Sequence, residues 1–121
     1  MLLDSNIIIY SVQPAHAALR TFIATNSPAV SAISYVEVLG FHRLSVADRT
    51  AFERFFKVAT ILTLDQRVLD QAVSLRQQRR MSLGDSLLAA TALVHARALV
   101  IHNVDDFKWI AGLKLLDPLA P

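Results

Sequence analysis

The sequence predicts an α/β fold, a mostly parallel sheet covered by helices on both faces. Two features of the 121 residues lead there: short apolar runs alternate with stretches of helical period, and no hairpin signal joins one run to the next. The opening Leu2-Leu3-Asp4 reads as a first strand. After the break at Gln13-Pro14, the spacing of Leu19, Phe22 and Ile23 gives a helix. A second strand over Ala29 to Ala32 leads into a helix carrying Glu37, whose apolar stripe Ile33, Val36, Gly40, Phe41 and Leu44 is expected to be buried. Ser45-Val46-Ala47-Asp48 fits a capping box and introduces the helix of Phe52, Phe55 and Phe56. Val58 to Leu62 is a third strand, and Thr63-Leu64-Asp65-Gln66 caps a helix running to about Arg79. Asp85 opens the long apolar helix Ser86 to Val94, which feeds a fourth strand over Ala98 to Ile101; Leu113 to Leu116 adds a fifth.

Composition bounds the rest. A chain of 121 residues without a linker, low-complexity tract or repeat is expected to be one domain, 1–121, with a single sizeable core. The hydrophobic fraction of 54% is high enough to reserve apolar surface for a partner. No apolar run approaches the roughly 18 residues of a membrane span, and the N-terminal residues lack the basic region and cleavage site of a signal peptide, so a cytoplasmic protein is expected. Cys 0 excludes disulfides, thiolate chemistry and zinc–sulfur sites. The formal net charge of +2 is modest, but arginine greatly outnumbers lysine and pairs bidentately with phosphate, so a polyanionic partner is favoured.

The acids carry the functional argument. Ligands of an open parallel sheet bind beyond the carboxyl ends of its strands. Asp4 ends the first strand, Glu37 lies in the helix after the second, and Asn103 and Asp106 follow the fourth. The Asp85 helix turns tightly into the fourth strand, so it runs antiparallel to that strand and begins at the same edge. Several unpaired like charges gathered there would repel by several kcal/mol at intermediate dielectric. Hard oxygen ligands of this kind suit Mg²⁺ or Mn²⁺.

Each acid also has a structural reading. Ser34-Tyr35-Val36-Glu37 and Ser82-Leu83-Gly84-Asp85 both fit capping boxes, and Asp4 could cap a helix beginning near Ser5. Asn103 and Asp106 could be turn formers. Joint placement on one edge favours a shared site, and capping is compatible with it.

Leu3-Asp4-Ser5-Asn6, the Ser31-Ala32-Ile33-Ser34 approach to Glu37-Val38-Leu39, Leu83-Gly84-Asp85 with its helix through Thr91-Ala92, and Asn103-Val104-Asp105-Asp106-Phe107 resemble the PIN-domain ribonucleases, most of all the toxin half of VapBC-type toxin–antitoxin pairs. The resemblance spans the chain in order and ends on the tail Gly112-Leu-Lys-Leu-Leu-Asp117-Pro118. It implies an α/β/α sandwich, a Mg²⁺- or Mn²⁺-dependent endoribonuclease, a homodimer and inhibition by a cognate antitoxin. By position, Asp4, Glu37 and Asp85 would be three acidic site residues and metal ligands. The family often has an acid where this chain has Asn103, and some members use one at the place of Asp106, so either could complete the site.

The expected chemistry is phosphodiester hydrolysis, leaving a 5′-phosphate and a 3′-hydroxyl. An ion held by Asp4, Asp85 and Glu37 would acidify a water and neutralise the phosphoryl oxygens. Ser5 and Asn6 could orient a ligand water or a phosphate oxygen, and Arg79-Arg80 is a candidate RNA contact. The histidines show no metal spacing, and only His102 stands beside the proposed site. A receiver-type phosphotransfer domain would want adjacent acids after the first strand, and a haloacid-dehalogenase phosphatase a second Asp where Asn6 stands. The remaining rival is a regulatory binding module with a degenerate site. Phe41, Leu44, Phe52, Phe55 and Phe56 exceed what one helical hairpin needs and could line a groove for an antitoxin helix.

Overall fold

The computed structural model describes residues 1–120. Five parallel strands form one sheet in the order β3-β2-β1-β4-β5: β1 Leu2–Leu3, β2 Ala29–Ser31, β3 Ile61–Leu62, β4 Leu99–Val100 and β5 Leu115–Leu116. Six α-helices connect them: α1 Ser5–Ser11, α2 Ala17–Asn26, α3 Ala32–Leu39, α4 Val46–Val58, α5 Gln66–Gln78 and α6 Leu83–Val94. The α/β reading and the five expected strands therefore hold.

Alternation along the strands builds the three layers. Leu2, Ala29 and Leu99 are aligned in the ladder and pack into one cluster with Val68, Ala72, Leu75 and the apolar side of α6. Their neighbours Leu3, Val30 and Val100 face the other way, into a second cluster with Ile7, Ile8, Leu19, Val38, Phe52 and Phe56. One face of the sheet is thus covered by α5 and α6, the other by α1 to α4. The three central strands are buried on both sides, which is why they read as apolar runs without alternation.

Caps decide several boundaries. The side chains of Asp4, Ser31, Ser45, Asp65 and Ser82 each accept a backbone N–H in the first turn of α1, α3, α4, α5 and α6. All five strands are shorter than the sequence indicated; in two cases a helix takes the residue, since Ala32 already belongs to α3 because Ser31 is its cap, and Val58 is the last residue of α4.

The expected burial of the Glu37 stripe is overturned. Val36 is 64% exposed and Phe41 is 52% exposed, and α3 ends at Leu39, so Phe41 and Leu44 lie beyond the helix rather than on its face. The buried positions of α3 are Ser34 and Val38, four apart, on a face turned about one residue away. Ser34 is internal to α3 and caps nothing, so the Ser34–Glu37 capping box does not form.

Candidate active site

Asp4 sits between β1 and α1, where its N–H donates to Val100 O at 2.9 Å and ties it to the central strand β4. Its Oδ2 accepts the Asn6 N–H at 3.3 Å, so capping and site membership coincide. Only 8% of the residue is exposed. Burial pushes its pKa up from 3.8 to about 6; hydrogen bonds from the Asn6 and Ser5 backbone oppose the rise, and the charges of Asp85 and Glu37 add to it. Asp4, Glu37 and Asp85 thus share one electrostatic field.

Asp85 lies in the first turn of α6, where its N–H donates to Ser82 Oγ at 3.1 Å. Its carboxyl is also pushed above the ordinary range, chiefly by partial burial; the Ser82 hydroxyl works against this and Asp106 reinforces it. The tight turn after α6, with Ala96 at φ 51, returns the chain to β4 and leaves Asp85 at the opposite end, beside the strand carboxyl edge.

Glu37 reaches the cluster from the exposed side of α3. Ser5 Oγ lies 2.8 Å from Glu37 Oε1 and 2.9 Å from the buried Ser34 Oγ, and its single proton goes to one or the other. The other carboxylate oxygen rests against Gly84: a Cβ added there would stand 2.7 Å from Glu37 Oε2. Glu37 is therefore clasped between α1 and the first turn of α6, one residue from Asp85. The sequence reading missed Gly84 and Ser34. Two signals were available: a glycine inside the first turn of a helix, and a serine at a helix position that faces the core. Ser5, expected to orient water or phosphate, is instead engaged with Glu37 and Ser34.

On the far side, a short 3-10 turn over Val104–Asp106 follows β4. Asn103 Nδ2 donates to Asp106 Oδ2 at 3.2 Å, so the two candidates for the fourth position are one hydrogen-bonded pair. Asp106 lines one cleft with Asp85 and helps raise its pKa, while Asn103 is hydrogen-bonded to Asp106. His102 turns toward β5, with Nδ1 3.1 Å from both carboxylate oxygens of Asp117. All five sequence-selected site residues lie at the carboxyl edge of the sheet.

A match to the PIN domain family covers residues 1–113. The chain belongs to the PIN domain family. Solved structures match over almost the whole length. A chain of a toxin–antitoxin complex from Klebsiella pneumoniae is 25% identical, with a TM-score of 0.78 over 97% of this chain and 96% of that one. For a DNA-bound VapBC from Salmonella typhimurium the values are 20% and 0.84, over 97% and 96%. VapBC-1 from nontypeable Haemophilus influenzae gives 23% and 0.79 over the same shares. No curated protein sequence matches significantly.

The donors are hard oxygens, as Mg²⁺ or Mn²⁺ requires, and the raised pKa of Asp4 shows a carboxylate short of positive charge. Among the described residues, no group of three acidic or histidine side chains has the spacing to grip an ion directly. Mg²⁺ ordinarily binds through one or two carboxylates and keeps several waters, so direct grip by three acids is not required of such a site.

Proposed function

We propose that this PIN protein is a Mg²⁺- or Mn²⁺-dependent endoribonuclease, the toxin of a toxin–antitoxin pair. One observation carries the reading: a desolvated Asp4, crowded by the charges of Asp85 and Glu37, at the sheet edge where a parallel α/β fold binds its ligands. PIN domains are generally nucleases, and the similar chains named above come from toxin–antitoxin complexes, which agrees with it.

Asp4 and Asp85 would hold the ion, with Glu37 completing its water shell. Such an ion supplies Lewis acidity, acidifying the attacking water and neutralising charge on the phosphoryl oxygens. Glu37, fixed by Ser5 and Gly84, orients the attacking water and takes up its proton. Asp106, held by Asn103, would add a further carboxylate to the ion's water shell. Cleavage of single-stranded RNA in the presence of Mn²⁺, lost with EDTA and lost in Asp4→Asn, is the expected result.

A second reading, a regulatory binding module with a degenerate site, is favoured by the absence of three directly chelating acids among the described residues. Binding of RNA without cleavage at any divalent metal would select it.

The antitoxin would occupy the apolar groove of about 300 Å³ lined by Ile9, Phe41, Leu44 and Phe52, whose charged lining is Glu37, Asp48 and Arg43. A helix laid there by its apolar face brings a basic side chain of the antitoxin to Glu37, in competition with the metal. Of the five apolar residues singled out in the sequence, Phe52 and Phe56 are buried in the core and Phe41 is exposed. The groove is thus floored by Phe52 and walled by Phe41. The exposed Tyr35, Val36, Leu69 and Val73 leave further apolar surface for a homodimer.

A further inference from the structure

A cleft of about 310 Å³ opens beside the carboxylates, between the α5–α6 connection and the turn after β4. Asp85, Asp105 and Asp106 line it, and so do Arg79, Arg80 and Trp109. We propose that Arg79, held against the indole of Trp109, is the anchor for a backbone phosphate of single-stranded RNA next to the bond that is cut. This rests on the ribonuclease reading above.

The cations in this cleft are not spent on its acids. Lys108 pairs with Asp105 at 2.8 Å, but neither Arg79 nor Arg80 forms an ion pair or a side-chain hydrogen bond among the described residues. An unpaired guanidinium is ordinarily a solvated surface group or a helix C-terminal charge. Arg79 differs because its position is fixed. Its Cζ lies 5.5 Å from the centre of the Trp109 ring. The indole is in turn half-buried against the core, and its Nε1 donates to the Asp106 carbonyl at 3.0 Å. The backbone N–H of Arg79 still bonds to Leu75 O at 3.2 Å, and Arg76 Nε reaches Met81 O at 3.4 Å, bracing the connection. The ring holds the guanidinium by a cation–π contact, and the guanidinium N–H groups have no protein acceptor among the described residues, which leaves them for phosphate oxygens. A cleft lined by three aspartates repels a polyanion unless a fixed cation stands at its entrance, and Arg79 supplies one tied through Trp109 to Asp106.

Trp109 is the sole tryptophan of the chain, so intrinsic fluorescence reports on this spot. Titration with a short single-stranded RNA, without divalent metal, should change the emission, and inorganic phosphate should not at comparable concentration. By anisotropy of labelled RNA, Arg79→Ala should bind about tenfold more weakly, with a salt slope shallower by about 0.7. In Mn²⁺ its KM should rise by a similar factor while kcat stays within about twofold. Arg79→Lys keeps the charge without the planar face and should recover only part of the loss. Cleavage by wild type with affinity, salt slope and KM unchanged in Arg79→Ala would overturn the anchor and leave the nuclease reading intact. Arg79-dependent RNA binding without cleavage would do the reverse. An equal response to inorganic phosphate would overturn the assignment to a nucleic-acid backbone, and no binding with no cleavage would overturn both readings.

Discussion

Asp4→Asn should stabilise the fold while it removes activity. Asp4 is 8% exposed, and burial pushes its carboxyl up to about 6 from the 3.8 of an unfolded chain. Between those values the folded protein holds a proton that the unfolded chain has released, so stability falls as pH rises through this window and levels off above it. The gap corresponds to about 3 kcal/mol at about 1.4 kcal/mol per pH unit. Asparagine is nearly isosteric, carries no charge and can still accept the Asn6 N–H through its amide oxygen, so the cap is kept. At about pH 8 the variant should therefore be more stable than wild type by about 3 kcal/mol, on the order of 10 °C in Tm. At about pH 3.5, where both side chains are neutral, the difference should vanish.

Thermal melts of both proteins by circular dichroism over this pH range, in metal-free buffer, measure the effect. Adding Mn²⁺ at about pH 8 should raise the Tm of wild type and narrow the gap, since an ion bound at about 100 times its Kd contributes about 2.7 kcal/mol. The variant should gain much less. Equal melting temperatures at high pH, or a difference that does not change with pH, would refute the claim that Asp4 carries an uncompensated buried charge.

The acid beside Asp85 can be assigned by comparing Asp106→Ala with Asn103→Ala: loss of Asp106 should lower kcat by about 100-fold or more, and loss of Asn103 by about tenfold through misplacement of Asp106. The reverse order would give the fourth position to Asn103. Gly84→Ala should displace Glu37, because the new methyl would stand 2.7 Å from Oε2, and kcat should fall with little change in Tm. Unchanged kcat in that variant would show that Glu37 needs no support from α6. Light scattering should find a dimer, and a further complex with a cognate antitoxin; Phe41→Ser should weaken that complex and leave the fold intact, as Phe41 is 52% exposed. A strict monomer that binds no antitoxin would remove the assembly.

The layers were legible because the central strands are buried on both sides and therefore written as plain apolar runs, Leu2-Leu3, Ala29-Val30 and Leu99-Val100. Helix starts were legible at Ser45 and Ser82, where a hydroxyl three residues before an acid has one dominant use. The same pattern misled at Ser34, because Ser31 lies three residues earlier and caps first. Short edge strands were blurred by their neighbours: Val58 is apolar yet 86% exposed at the end of α4, and no local signal distinguishes it from a strand residue. The placement of the acids followed from topology, since a helix turning tightly into a parallel strand must begin at that strand's carboxyl edge. The supports of Glu37 did not follow, because Ser5, Ser34 and Gly84 meet it only across three helices.

Glu37 lies beside Asp4 and Ser5, but not for the reason the sequence suggested. It was singled out as a carboxylate in a buried stripe, yet its flanking Val36 is exposed and the stripe does not exist as a packed face. Asp4, not Glu37, is the carboxylate deprived of water. The contrast has a functional meaning. An acid at the closed end of the site holds charge where water cannot screen it, and therefore gains most from a metal. An acid at the open rim, held by the Ser5 hydroxyl and a gap that only glycine leaves, remains in reach of water and substrate. Affinity for the ion should accordingly depend most on Asp4, and turnover with the ion bound should depend most on Glu37. Mn²⁺ titration by calorimetry of Asp4→Asn and Glu37→Gln, set beside their kcat at saturating metal, separates the two roles. Equal loss of metal affinity in both variants would show that depth in the site does not divide the work between them.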